Sequence, residues 1–205
     1  MLKLRLKFSR RLCLISQYNT PDNLCFALET FIIEIREQSA ALRAYDNVFQ
    51  NKQCDNSFFR RSYESIWREL LSEIARIFDK ESTGSSENCT LLRLKELCLN
   101  EHNVFLFPSG GENDLLKTFD AVFESYKQLP IGKSRKKQLA HHDLKQVIAG
   151  KPIEISLEQI EQLIESVTDV FAKIYSRFNL EIFEASFTNY DVLVEKYEKD
   201  IRLLV

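Results

Sequence analysis

Arg135, Lys137, His141, His142 and Asp143 lie within nine residues of one another, in the order Arg-Lys-Lys-Gln-Leu-Ala-His-His-Asp. A guanidinium holds a phosphate through two parallel hydrogen bonds, and an imidazole takes up and releases protons near neutral pH. An arginine and a histidine so close together can therefore bind a phosphodiester and move protons on it. Between residues 127 and 151 the bases Lys127, Lys133, Arg135, Lys136, Lys137, Lys145 and Lys151 face a single acid, Asp143, which leaves this window at about +6 in a chain of net charge −2. A local basic patch on an acidic body concentrates polyanions at one place. Lys133, Lys136 and Lys145 are accordingly candidate polyanion contacts; the alternative for the whole run is a solvated helix face followed by a lysine-rich turn.

The rest of the chain offers little competing chemistry. Cys13, Cys25, Cys54, Cys89 and Cys98 are odd in number and lack CxxC spacing, so neither a disulfide framework nor a zinc site is expected. Cys25 and Cys98 fall in apolar helical patterns and read as small buried hydrophobes. His102 precedes the apolar stretch Asn103-Val104-Phe105 and reads as structural. Scattered acids make no compact ligand set, and no glycine-rich phosphate loop or nucleophile triad is present. Neither metal nor cofactor is expected. The cysteine usage fits a reducing cytoplasm, and no apolar run is long enough for a bilayer span.

The elements that must position the basic motif are helical. A chain of 205 residues, 44% apolar, with only five glycines and four prolines favours one helical domain over a sandwich or barrel. Residues 1–19 read as a basic arm or short strand, because Leu2, Leu4, Leu6 and Phe8 alternate with Lys3, Arg5 and Lys7. The domain proper is then 20–205. Thr20-Pro21 predicts the start of a long helix whose stripe is Leu24, Leu28, Phe31, Ile35, Leu42 and Phe49. A second helix is expected from about 56 to 80, ending in an exposed loop at Ser82-Thr83-Gly84-Ser85-Ser86. Shorter helices are expected over 90–99 and 113–128. Ser156 and Gln159 form a capping-box pair that opens another long helix, and a final helix is expected over 189–204. The fold class is all-α: a bundle of about five to seven helices with an up-and-down core.

If residues 134–149 make one helix, Ala140, Leu144, Val147 and Ile148 cluster on its buried face. His141 then lies at the margin of that face and His142 points nearly opposite. Arg135 is about 120° from His141 around an ideal axis but almost in line with His142. Spacing alone slightly favours the pairing of Arg135 with His142. An irregular turn after Gly132, or two subunits combining their motifs, would instead bring Arg135 to His141.

Arg135, Lys137, Ala140, His141 and Asp143, as Arg-x-Lys-x-x-Ala-His-x-Asp, resemble the signature of the HEPN superfamily, and more narrowly its abortive-infection branch of the AbiU type. The segment Ala75-Arg76-Ile77-Phe78-Asp79-Lys80, the serine-rich loop and the leucine-bearing helix at 91–99 are similar to the same branch. The resemblance covers roughly residues 20–180. It implies a metal-independent endoribonuclease acting on RNA as a homodimer, in an antiphage or toxin–antitoxin setting, with an antitoxin or nucleotidyltransferase-like protein as partner. His141 would transfer protons and Arg135 would stabilise the phosphorane-like transition state, with Lys137, His142 and Asp143 in support. Active members often carry a small polar residue directly after the arginine, where this chain has Lys136. That substitution favours the chief alternative, a non-catalytic RNA- or nucleotide-binding module; a protein-interaction module is a third reading. Asp143 stands where adenylylation-controlled members carry tyrosine, so that form of control is not implied.

Overall fold

The structure is a computed structural model that describes residues 21–49, 57–79, 82–83, 86–99, 112–131, 155–178 and 189–204. Among them are six helices: α1 (Pro21–Phe49), α2 (Ser57–Ile77), α3 (Leu91–Leu99), α4 (Glu112–Gln128), α5 (Leu157–Phe178) and α6 (Tyr190–Arg202). This is the all-α bundle expected from the sequence. Where a plain serine-rich loop was expected after α2, Ser82–Thr83 (β1) pairs antiparallel with Ser86–Glu87 (β2), in the register Ser82 to Glu87 and Thr83 to Ser86. Backbone pairing across such a short connection asks nothing of hydrophobic alternation, which is why composition conceals it. Among the described residues, no helix is long and apolar enough to cross a membrane.

Local signals set the helix ends. At α5, the Ser156 amide donates to Gln159 Oε1 at 3.0 Å and the Gln159 amide returns a bond to Ser156 Oγ at 3.3 Å. These reciprocal bonds satisfy two amides that the first helical turn leaves without intrahelical partners. Thr90 does similar work for α3, its Oγ1 accepting from the Arg93 amide at 3.2 Å. At α6, Asn189 Oδ1 accepts from the Asp191 amide at 2.8 Å.

The main core is built around α1. Leu24, Leu28, Ile32, Ile35 and Leu42 are buried there with Leu70, Ile74 and Ile77 of α2, Leu91 and Leu94 of α3, Leu115, Phe119 and Val122 of α4, and Ile160, Leu163, Val167, Phe171 and Ile174 of α5. Cys25 and Cys98 are buried among them, as their apolar settings implied. Polar pairs fix the helix directions. Against α5, Glu29 meets Tyr175 and Arg43 meets Glu161, so the two helices run antiparallel. Gln38 meets Glu73 and Asp46 meets Tyr63, which makes α2 antiparallel to α1 as well. Ser39 meets Tyr190 and Asn47 meets Glu198, so α6 runs parallel to α1.

A second, smaller cluster joins α6 to α1: Ala40 and Ala44 lie beneath Leu193 and Val194, flanked by Tyr190, Tyr197 and Ile201. The two alanines are four residues apart and so occupy one face, where their small side chains let the helices approach closely. Neither alanine is exposed at all. Replacing Ala40 by Leu should therefore overpack this contact and lower unfolding stability by about 1–3 kcal/mol. Urea unfolding of the variant beside wild type measures it; unchanged stability would mean that α6 does not seat against Ala40.

Candidate functional site

The basic motif lies between α4 and α5. Arg135, Lys137, His141, His142 and Asp143, with Lys133, Lys136 and Lys145, fall outside the described residues, as do His102, Cys13 and Cys54. What the structure does describe are the two anchors of segment 132–154. On its N-terminal side, the Leu129 amide donates to the Tyr126 carbonyl at 3.1 Å, and Ile131 is fully buried in the main core. On the C-terminal side, Ile155 packs against the same core and Leu157 is buried in it. Both ends of the motif segment are thus packed into the same apolar core.

The helices holding those anchors run antiparallel. Lys173, late in α5, donates to Thr118 Oγ1 at 2.7 Å and pairs with Asp114 at 3.2 Å, both early in α4. Farther along, Tyr126 of α4 stacks on Phe78 with ring centroids 4.0 Å apart and planes 3° from parallel. Phe78 in turn lines a small apolar void with Leu163, Ile164 and Val167 of α5. The C-terminal end of α4 and the N-terminal end of α5 therefore point the same way.

Phe78, in the earlier stretch that resembled the family, packs on the helix that precedes the motif. Within Ala75-Arg76-Ile77-Phe78-Asp79, Ala75 and Ile77 are buried, Arg76 is exposed and the Asp79 amide closes the last turn on the Arg76 carbonyl at 3.2 Å. Phe78 stacks on Tyr126 and meets Phe123 edge-on at 5.7 Å. Aromatic contacts of this kind are directional as well as apolar. The 75–79 segment thereby braces the helix that leads into the basic motif.

A polar network braces the other anchor. Arg43 donates from Nε to Glu161 Oε1 at 2.9 Å, pairs through Nη2 with Glu161 Oε2, and reaches Glu158 Oε1 from Nη1 at 3.1 Å. Tyr190 donates to Glu161 Oε1 at 2.6 Å, and its hydroxyl lies 3.0 Å from Ser39 Oγ. One bidentate guanidinium thus ties the first turns of α5 to α1, while a tyrosine brings in α6. The hydrogen bond to Glu161 raises the Arg43 pKa above its ordinary value, and burial raises that of Tyr190. Nearby, burial pushes the Tyr63 hydroxyl up to about 12, and Tyr63 bonds to Asp46 at 3.5 Å. None of these partnerships stood out in the sequence. Their only signal was the presence of hydrophilic side chains on a helix buried on several sides, which shows that partners exist without saying which.

The α1–α2 interface holds a different kind of group. Glu73 is buried at 9% exposure and accepts from Gln38 Nε2 at 3.0 Å, while Gln38 Oε1 is buried with no hydrogen-bond partner among the described residues. Burial first, then the charges of Glu34 and Glu69, raise the Glu73 pKa from 4.5 to about 7; Arg76 and the Gln38 bond oppose this. A neutral Glu73 has an O–H to offer, and Gln38 Oε1 is an acceptor in need of one. Cys89 is also perturbed, burial holding its thiol up at about 12, which keeps it a poor nucleophile.

A family model described as AbiU2, of the HEPN group, matches residues 27–202. The matched span takes in most of the chain, from the first turns of α1 to the end of α6, with the Arg135–Asp143 motif inside it. The chain belongs to the AbiU2 family of HEPN proteins. No curated protein and no solved structure matches it. In AbiU2 terms, the HEPN module here is the α1-centred bundle, and the motif lies on the connection between its antiparallel α4 and α5.

The Glu73 site of this AbiU2 protein yields a pH dependence of definite sign. Between about pH 4.5 and 7 the folded state binds a proton at Glu73 that the unfolded chain has released, so stability falls as pH rises through this range and levels off above it. Replacing Glu73 by Gln should remove that part of the fall and make the protein more stable than wild type at pH 8. Thermal melts at a series of pH values for both proteins test this; parallel curves would show that Glu73 does not titrate there.

Proposed function

We propose that this AbiU2 protein is a metal-independent endoribonuclease that acts as a homodimer in an antiphage or toxin–antitoxin system. The supporting observation is that the family match extends across Arg135-x-Lys137-x-x-Ala140-His141-x-Asp143, the one constellation in the chain with both a phosphate-binding and a proton-transferring group. In this reaction the RNA 2′-hydroxyl attacks the adjacent phosphorus and gives up its proton to a base. The P–O5′ bond breaks, and the departing 5′-oxygen receives a proton. His141 is the proposed proton-transfer residue, and Arg135 the group that stabilises charge on the phosphorane. A twofold dimer supplies a second histidine from the same sequence, so one ring can accept a proton while the other donates. Lys137, His142 and Asp143 support the site; Lys133, Lys136 and Lys145 hold the flanking phosphates. Its partners are RNA, a second copy of the chain, and an antitoxin or nucleotidyltransferase-like protein, all in the cytoplasm.

Lys136 favours a second reading, in which the same residues bind RNA or nucleotide without cleaving it. A charged side chain directly after the arginine adds phosphate affinity and takes the place of a small polar group. Incubation of wild type and His141→Ala with single-stranded RNA and a chelator separates the two. The nuclease reading predicts cleavage by wild type and a loss of roughly 10²- to 10⁴-fold in the variant, with RNA binding nearly intact. Cleavage that persists in His141→Ala removes that residue from the mechanism, and RNA binding without cleavage by wild type selects the binding module.

A further inference from the structure

Phe58, Arg60 and Arg61 stand exposed on the first turns of α2, with Phe58 at 67% exposure. Phe58 is held edge-on by its neighbour Phe59, at 5.6 Å between ring centroids, and Phe59 itself is buried against α1 through Phe49 at 5.7 Å. The exposed ring is therefore presented from a packed base. Arg68 pairs with Glu64, Arg93 with Glu96 and Arg202 with Glu198, but among the described residues no ion pair involves Arg60 or Arg61. An exposed aromatic beside two guanidiniums that form no ion pair among the described residues is a combination suited to a single strand: the ring stacks on a base and the cations take phosphates.

The position of this patch follows from the helix directions. Both α2 and α5 run antiparallel to α1, so their N-terminal ends lie at the same end of the bundle, where Tyr63 meets Asp46 and Glu158 meets Arg43. The C-terminal end of α4 points the same way, as Lys173 and Phe78 establish. Segment 132–154, which carries most of the basic window, thus leaves and rejoins the core facing the end at which Phe58 stands, about 8 Å beyond Tyr63 along α2. Of the acids that α1, α2 and α5 carry near this end, Glu158 and Glu161 share Arg43, Asp46 accepts from Tyr63 and Glu64 pairs with Arg68, so none of these pairs with Arg60 or Arg61.

We propose that Phe58, Arg60 and Arg61 form a second single-stranded RNA contact, continuing the strand's path beyond the Arg135–His141 motif. This rests on the reading of the chain as an RNA-acting protein. A 2′-O-methylated oligouridine tests it, because the methyl group removes the attacking hydroxyl and leaves binding to be measured alone. Fluorescence anisotropy across a salt series should show that the double variant Arg60→Gln/Arg61→Gln lowers the slope of log affinity against log salt by about 1.4, at about 0.7 for each phosphate that is no longer neutralised. Phe58→Ala should weaken binding roughly 5- to 150-fold. Lys117→Gln, exposed near the start of α4 at the opposite end of the bundle, should stay within about twofold of wild type. An unchanged slope in the double variant together with unchanged affinity in Phe58→Ala overturns the second contact while leaving the RNA reading intact. Failure of wild type to bind the oligonucleotide at low salt overturns both. Loss of self-association in the double variant with undiminished RNA affinity assigns the patch to a protein contact, and overturns the proposal too.

Discussion

The antiparallel packing of α5 on α1 is the constraint on which the other arrangements depend. Along that seam, Leu28, Ile32 and Ile35 bury against Leu163, Val167 and Phe171, while Tyr175 bonds to the buried Glu29 at 2.5 Å and Arg43 holds Glu161 and Glu158. Apolar burial supplies most of the driving force, and the polar pairs set direction and register. A register slip would leave the buried Glu29 without its partner, which costs more than the net gain from that bond. With α5 so fixed, α4 is placed by Lys173 and by the Phe78–Tyr126 stack. The segment bearing Arg135 and His141 then has both its ends set.

A fixed frame matters because phosphodiester cleavage by side chains depends on position. Arginine and histidine are common residues, and their pairing acquires catalytic meaning only when both are held within reach of one phosphate. Membership of the AbiU2 family and the anchoring of Ile131 and Ile155 on one core support that reading from independent directions. Fold alone does not establish chemistry, and cleavage is inferred from the motif's residue types.

Much of the frame was legible in the sequence, for specific reasons. Ser156 and Gln159 announced the start of α5 because a capping box satisfies amides that nothing else nearby can satisfy. The stripe from Leu24 to Leu42 announced α1, since burial on a helix has a period that composition records. Periodicity tells which face is buried and says nothing of what covers it. Ala40 and Ala44 gave no hint of α6, and neither Gln38–Glu73 nor Arg43–Glu161 could be paired across such separations in the chain. The β1–β2 ladder escaped notice because serine and threonine read as loop formers. At the motif the residue types were legible, but spacing did not settle whether His141 or His142 partners Arg135.

Attack by the 2′-hydroxyl leaves a distinctive product, so the ends of the cleaved RNA test the central claim most directly. Treatment of single-stranded RNA with wild-type protein in a chelator, followed by mass spectrometry of the fragments, should show 2′,3′-cyclic phosphate on one side of the cut and 5′-hydroxyl on the other. Fragments ending in 3′-hydroxyl and 5′-phosphate would require a water nucleophile in place of the 2′-hydroxyl, and would contradict the chemistry assigned to Arg135 and His141.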